Sequence, residues 1–293
     1  MEASSNTNAM AGVMAPLMLH GRVAIVTGGA GGIGSAVSRH LASLGARVAV
    51  AYIGDPAPAN ELVSGINDGY LRAEEEEKRG PRAIAVEADV SDAARVRALF
   101  DAAAAAFGGE IHILVTTAAV LDFAYPALAE TSEAAYDAMF GVNARGTFLC
   151  CREAANRLAR GGRGRIVTFS SSGVGSLRPG YAAYAASKAA VEVMTKILAR
   201  ELRGTGITAN AVAPGSTGTP MMYTGKTEED MARYIAEAPL GRLGMPDDIA
   251  PLVGFLASDA GGWINAQNTQ GYLKASSSSM VLSSDFRATV VPR

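Results

Sequence analysis

At 293 residues and 49% hydrophobic side chains, the chain can bury one large core or at most two small ones. A formal charge of −2 without a basic block argues against a nucleic-acid partner, and no uninterrupted apolar run reaches the length of a membrane span. Glycine is plentiful at 33 residues while aromatics make up 6%, a balance that suits a tightly turned α/β architecture better than a sandwich. The two cysteines, Cys150 and Cys151, are adjacent, and neighbours on a helix point apart, so no structural disulfide is expected between them. That usage fits a reducing compartment. Three histidines, His20, His40 and His112, are scattered along the chain, so no metal site is expected.

Residues 1–18 read as a flexible arm. The apolar run from Ala9 to Leu19 has no Lys or Arg before it, unlike a secretory signal, and the stretch is not Arg-rich like a transit peptide. A cytoplasmic address is expected, with organellar import left open.

Arg22 to Thr27 is a β-branched run without polar alternation, the pattern of a strand buried on both faces. Gly28, Gly29, Gly31, Gly32 and Gly34 follow, and Ile33 to Leu44 reads as a helix ending at Gly45. With a second strand over Arg47 to Ile53, this is a βαβ unit whose glycine turn suits a dinucleotide pyrophosphate. An ordinary glycine-rich turn is the plainer alternative. The end of the second strand holds Tyr52 where an acid would select an NAD ribose, and the nearest acid is Asp55. NADP(H) is therefore favoured and NAD(H) left open, because no Arg or Lys stands in the turn either.

Pro56 to Arg82 reads as helix plus loop, with Glu74 to Glu77 a solvated face. Further strands are expected over Ala83–Val86, Ile111–Thr116, Arg165–Ser170 and Ile207–Val212, and helices over Ala93–Phe107, Glu133–Arg160 and Tyr181–Leu202. Strands alternating with helices indicate a single Rossmann-type, doubly wound parallel sheet with helices on both faces, its final strand uncertain. Chemistry in such sheets sits at the carboxyl ends of the strands, where Thr27, Asp89, Thr117, Ser171 and Pro214 fall.

Tyr184 and Lys188 stand one helical turn apart and share a face. An ammonium beside a phenol favours the phenolate, which would make Tyr184 a general acid or base near neutral pH. The spacing alone also describes a solvated lysine beside a half-buried tyrosine.

Together these residues resemble the short-chain dehydrogenase/reductase family. The likeness rests on Thr27-Gly28-x-x-x-Gly32-x-Gly34, Asp89-Val90, Asn143, Ser171, Tyr184-x-x-x-Lys188 and Pro214-Gly215, with further matches at 241–244 and 255–259. It covers about residues 19–267. Within the family, stretches such as GTFLCCREAA and YAAYAASKAAVEVM are similar to the plant NADPH-dependent aldehyde reductase-like proteins. The resemblance implies Tyr184 as proton donor, Ser171 bonded to the substrate oxygen, Lys188 lowering the tyrosine pKa, and Asn143 supporting a water that leads to the lysine. It implies cofactor contacts from Thr27, Gly28, Gly32, Ile33, Gly34, Asp89, Val90, Tyr184, Lys188, Pro214, Gly215, Thr217 and Thr219. The expected substrate is a small aldehyde or ketone. A 3-oxoacyl thioester reductase, or a cofactor-binding protein with little turnover, are the alternatives.

Two departures matter. The family's Asn-Asn-Ala-Gly is Thr116-Thr117-Ala118-Ala119 here, which removes an amide tie between strands and adds a methyl near the cofactor. From Asn268 to Arg293 the chain reads as a divergent, low-complexity tail, strand-like only at Met280–Leu282 and Ala288–Val291. Losing the last strand would leave an open sheet edge and weaken any homo-oligomer. Met221, Met222 and Tyr223, after the Pro-Gly turn, are candidate substrate-loop residues.

Overall fold

The computed structural model describes residues 17–70 and 80–270. The greater part of the expected arm, Glu74 to Glu77 and the two strand-like stretches near the C-terminus lie outside the described residues.

Seven parallel strands form one sheet in the order β3-β2-β1-β4-β5-β6-β7. In chain order the elements begin with β1 (Val23–Thr27), α1 (Gly32–Ser43), β2 (Arg47–Tyr52), α2 (Ala57–Tyr70), β3 (Ala83–Glu87), α3 (Ala93–Phe107) and β4 (Ile113–Thr116). Next come α4 (Glu133–Met139), a π-helical turn (Phe140–Gly146), α5 (Thr147–Arg157), β5 (Arg165–Phe169), a single turn α6 (Gly173–Ser176), α7 (Ala182–Glu201) and β6 (Thr208–Ala213). The described residues end with α8 (Pro220–Tyr223), α9 (Glu228–Glu237), α10 (Pro246–Ala257) and β7 (Asn268–Gln270). The order reverses direction at β1, the switch point of a doubly wound sheet.

Successive strand residues face opposite sides, so each strand serves two cores. Val23 and Ile25 of β1 pack with Phe100 and Phe107 of α3 and Leu149 of α5. Ala24 and Val26 face the other way, onto Val37 and Leu41 of α1 and Val253 and Leu256 of α10. This explains the apolar strand runs: neither face meets water. Cys150 and Cys151 are both free, and burial pushes the Cys151 thiol up to about 12.

The sheet edge differs from expectation. β7 exists and pairs parallel with β6, Ala211 opposite Asn268 and Ala213 opposite Gln270. The approach to it is secured by side chains: Ala209 N–H donates to Asn265 Oδ1 at 2.9 Å, and Asn210 Nδ2 donates to the Ile264 carbonyl at 2.8 Å. The first three residues of the stretch read as a tail therefore belong to the sheet, and β6 is not left as an edge. Their polar side chains carry no strand signature, because a three-residue edge needs only backbone partners.

The long helix expected over Glu133–Arg160 is three pieces. The π-helical turn at its centre widens the coil and seats Asn143, fully buried, where a regular helix would rotate it elsewhere. Four helices, the single turn α6 and α8 to α10, have no counterpart among the expected elements. For α10 a signal was present: Pro246 at the first turn, Asp247 and Asp248 beside it, then apolar residues at helical spacing.

The amino ends of the strands hold an ionic network. Arg22 pairs with Asp259 and donates to the Arg163 carbonyl at 2.7 Å. Arg165, 2% exposed, donates to the carbonyls of Gly162 and Gly164 at 2.8 Å and lies 3.6 Å from Asp259. Among the described residues, no helix is long and apolar enough to cross a membrane, and no cluster of three metal-ligating side chains occurs.

Candidate active site

One cleft of about 700 Å³ opens at the carboxyl ends of the strands. Gly28, Gly32, Ile33, Gly34, Asp89, Val90, Ser171, Tyr184, Lys188, Pro214, Gly215, Thr217 and Thr219 all line it. Thr27 and Asn143 lie just behind, buried.

The glycine turn is built for close approach. Gly28 has φ +61°, and a Cβ there would sit 2.9 Å from the Ala118 backbone. At Gly34 a Cβ would meet the Gly28 carbonyl at 2.1 Å, an impossible contact. No side chain caps the N-terminus of α1. Its first amides and the positive end of its dipole are thus left for an anion, as a pyrophosphate requires. The residues present fit a dinucleotide.

The altered turn after β4 keeps its tie by other means. Thr117 Oγ1 donates to the Thr27 carbonyl at 2.6 Å, and Thr117 N–H donates to the same oxygen at 3.1 Å. The expected loss of a strand-to-strand link is therefore corrected: a hydroxyl replaces the amide. Thr116 Oγ1 is buried without a hydrogen-bond partner, so that position contributes no such link.

At the end of the cleft beside β2, Tyr52 closes the strand and Ile53 is 66% exposed. Asp55 Oδ1 accepts from Ala57 N–H at 2.9 Å, which commits one of its oxygens to the start of α2. Asp89 accepts from Ser91 N–H and Oγ at 2.8 and 2.7 Å, which fixes the turn beneath that end.

On the other side, Tyr184 is half-buried and hydrogen-bonded to Ser171. Gly173 N–H donates to Ser171 Oγ at 3.0 Å, orienting the hydroxyl. Lys188, 2% exposed, donates from Nζ to the Phe169 carbonyl at 3.0 Å and lies 5.9 Å from the Tyr184 ring centre. The electrostatics depart from the simple expectation. Burial raises the Tyr184 pKa while the Ser171 hydrogen bond lowers it. Lys188 is itself pushed down to about 8 by burial. Its ammonium faces a backbone carbonyl, so the serine is the neighbour that lowers the phenol.

The hydrogen bonds of Asn143 go to residues other than Tyr184 and Lys188. It binds Val120 twice, accepting from its N–H at 2.8 Å and donating to its carbonyl at 2.9 Å, and donates to Ser187 Oγ at 3.0 Å. Thr219 caps α8 and crosses to the glycine turn, where a Cβ on Gly32 would meet its Cγ2 at 2.6 Å. The 241–244 stretch joins the same loop, since Gly218 N–H donates to the Gly244 carbonyl at 2.8 Å. Met221 and Met222 do line the cleft, as do Arg178, Tyr181, Lys226 and Tyr234, which sequence patterns did not indicate. These four come from loops and from α9, and no periodicity links them.

The family described as "Enoyl-(Acyl carrier protein) reductase" matches residues 28–270. The chain is 55% identical to the "NADPH-dependent aldehyde reductase-like protein, chloroplastic" of Arabidopsis thaliana, over 86% of this chain and 93% of that one. It is 49% identical, at the same coverage, to "NADPH-dependent aldehyde reductase 2, chloroplastic" of that plant. It is 50% identical to a "Short-chain type dehydrogenase/reductase" of Picea abies, over 85% of this chain and 90% of that one. Among solved structures, a dehydrogenase/reductase from Sinorhizobium meliloti superposes with a TM-score of 0.78 at 36% identity, over 88% of this chain and 96% of that one.

Proposed function

We infer the reaction from one premise: the chain belongs to the short-chain dehydrogenase/reductase family. On that premise the cleft reduces an aldehyde or ketone carbonyl, with NADPH as reductant. The observation that carries this reading is the meeting in one cleft of the Ser171–Tyr184 pair, Lys188 and an uncapped helix end behind a glycine turn. NADPH is favoured over NADH because two relatives are named NADPH-dependent, and because Tyr52 stands where a ribose-binding acid would be.

When bound, the nicotinamide supplies hydride to the carbonyl carbon. The protein manages the oxygen. Ser171 donates a hydrogen bond to it as negative charge develops, and Tyr184 delivers the proton that completes the alcohol. Burial keeps the phenol protonated at neutral pH, the form a reductase needs at the start of turnover. Lys188, which burial pushes down to about 8, would restore that proton. Gly28, Ile33 and Gly34 would hold the pyrophosphate, Asp89 and Val90 the adenosine, and Pro214 to Thr219 the nicotinamide side. The hydroxyl tie of Thr117 supports a working frame over a protein that merely binds cofactor.

The test is NADPH oxidation against a panel of aldehydes, ketones and a 3-oxoacyl thioester. Tyr184→Phe should keep NADPH binding and lower kcat by ~10³-fold. NADPH binding without turnover of any carbonyl would sink the reading, and a faster thioester would move the chain to the acyl branch.

Self-association and location follow from the same footing. Phe148 of α5 and Val193 and Ile197 of α7 are 45%, 58% and 50% exposed, an apolar face suited to a second copy. Ile197→Glu should lower the mass seen by light scattering, and an unchanged monomer in both forms would refute it. The two Arabidopsis relatives are named chloroplastic, which favours an organelle over the cytoplasmic address expected from the sequence. Imaging a fluorescent fusion of the full chain decides between them.

A further inference from the structure

The carbonyl chemistry occupies one part of the cleft, and another part carries a cation without an anion. Lys226 lies between α8 and α9 and lines the same cleft as Ser171 and Tyr184. Its ammonium donates to the Tyr125 hydroxyl and sits 4.5 Å from the Tyr125 ring centre and 5.9 Å from that of Tyr234. Among the described residues, no carboxylate lies within ion-pair distance of it. The acids nearby are engaged: Glu237 pairs with Arg178, which stacks over Tyr234 at 4.3 Å. Asp230 accepts from the Thr227 amide and hydroxyl, both at 3.0 Å, and pairs with Arg233. Burial already holds the Lys226 ammonium below the usual lysine range, against the pull of Asp230. A half-buried cation satisfied by phenols alone is poorly compensated, and in a cleft wall the missing partner is a ligand.

A file of tyrosines leads from the proton donor to this cation. Tyr184 and Tyr181 have ring centres 6.2 Å apart, and Tyr181 and Tyr125 5.2 Å apart. Burial raises both Tyr181 and Tyr125, so they stay uncharged and able to donate. The backbone is shaped to hold them. Tyr125 itself adopts φ +49°, and a Cβ on Gly180 would come within 2.7 Å of its carbonyl. Backbone in the left-handed region at a non-glycine residue is costly and collects at ligand sites.

We propose that Lys226 binds a carboxylate at the far end of the substrate, so that the cleft prefers aldehydes with an acidic tail over neutral ones. The proposal rests on the reductase reading and names its substrate class. The full-length protein with NADPH is assayed on 4-oxobutanoate and on its methyl ester, which differ in that one charge. The kcat/KM ratio of acid to ester should be about tenfold or more, the value of one charge-assisted hydrogen bond. It should fall to near one in Lys226→Met and recover in Lys226→Arg. A ratio near one in the unmodified protein, or a ratio untouched by Lys226→Met, overturns the proposal. Should Lys226→Met fail to fold, Lys226→Gln serves in the same comparison. If no carbonyl of any kind is reduced, the reductase reading fails, and the anion site is judged separately by calorimetry with succinate. Saturable succinate binding that Lys226→Gln abolishes then supports the site, and absence of binding to the unmodified protein overturns it.

Discussion

Asn143 and Val120 are joined like two strands of a sheet, the side-chain amide both accepting from the Val120 N–H and donating to its carbonyl. A side chain thus stands in for a backbone partner and locks the loop after β4 to the π-helical turn. A third bond, to Ser187, reaches the residue beside Lys188.

Replacing Asn143 with Ala leaves the Val120 N–H and carbonyl without partners. The expected cost is ~2–4 kcal/mol of stability, from lost hydrogen bonds and orphaned polar groups. Urea unfolding measures it, and a loss under ~1 kcal/mol would show that water replaces the amide freely. Turnover should fall as well, because the loop lining the cleft at Val120 and Leu121 loosens.

Lys188 carries an electrostatic penalty from burial. Burial pushes it down to about 8, below the ordinary lysine value of 10.5, so the folded state binds the proton more weakly than the unfolded chain does. Stability is therefore reduced by ~3 kcal/mol below pH 8, and recovers as pH rises from 8 toward 10.5. Lys188→Met removes that penalty and also the bond to the Phe169 carbonyl. The variant should be inactive yet more stable than its parent at pH 7, by ~1–2 kcal/mol, with the gap closing by pH 10. A less stable variant at pH 7 would contradict the buried-charge account.

Gly34→Ala should abolish NADPH binding and destabilise the fold. Its Cβ would lie 2.1 Å from the Gly28 carbonyl and 2.6 Å from Thr117 Oγ1, so the turn must move. A cost of ~2–3 kcal/mol is expected from the overpacking, with no NADPH fluorescence enhancement. Thr117→Val is the milder companion: losing the bond to the Thr27 carbonyl should cost ~1 kcal/mol and weaken NADPH several-fold.

Cofactor choice is testable at the end of β2. Tyr52→Asp places a carboxylate where a 2′-hydroxyl would be recognised and a 2′-phosphate repelled. The ratio of kcat/KM for NADPH over NADH should drop by ~10-fold or more. An unchanged ratio would place the discrimination elsewhere in the cleft.

His112 makes the fold acid-sensitive. It is 2% exposed, its Nδ1 accepts from the Val23 N–H at 3.2 Å, and burial, with Arg163 beside it, pushes it down to about 4. The unfolded chain takes up this proton first, so stability is lost as pH falls from 6.5 toward 4. In His112→Gln the decline in thermal midpoint over that range should flatten, and an equally steep decline would assign it to other groups.

Much of this was legible in the chain. β1 to β6 and α3 follow from apolar runs and helical spacing, because the inner strands are buried on both faces, while β3 at the sheet edge is only partly covered. That Tyr184 and Lys188 share one helix face was legible from their four-residue spacing, whereas the turn of the Lys188 ammonium to the Phe169 carbonyl was not. Three features were hidden for physical reasons. β7 is a polar edge held by backbone bonds and by Asn265 and Asn210, so no side-chain pattern marks it. The π-helical turn inserts within an unbroken helical pattern, and its register shift leaves no compositional trace. Tyr125, Tyr181, Lys226 and Tyr234 meet only after loops from distant parts of the chain converge, which spacing along a sequence cannot express.

The two ends of the sheet are held by unrelated interactions. Arg22, Arg165 and Asp259 lock the amino ends, while the cleft is walled by loops at the opposite ends. Variation is therefore cheap in one place and ruinous in another. A combinatorial library confined to residues 121–126, 177–181 and 221–226, with Gly180 and Gly225 left unchanged, should yield many folded members with altered substrate preference. The same mutational load spread over 162–165 and 258–262 should yield few folded members at all.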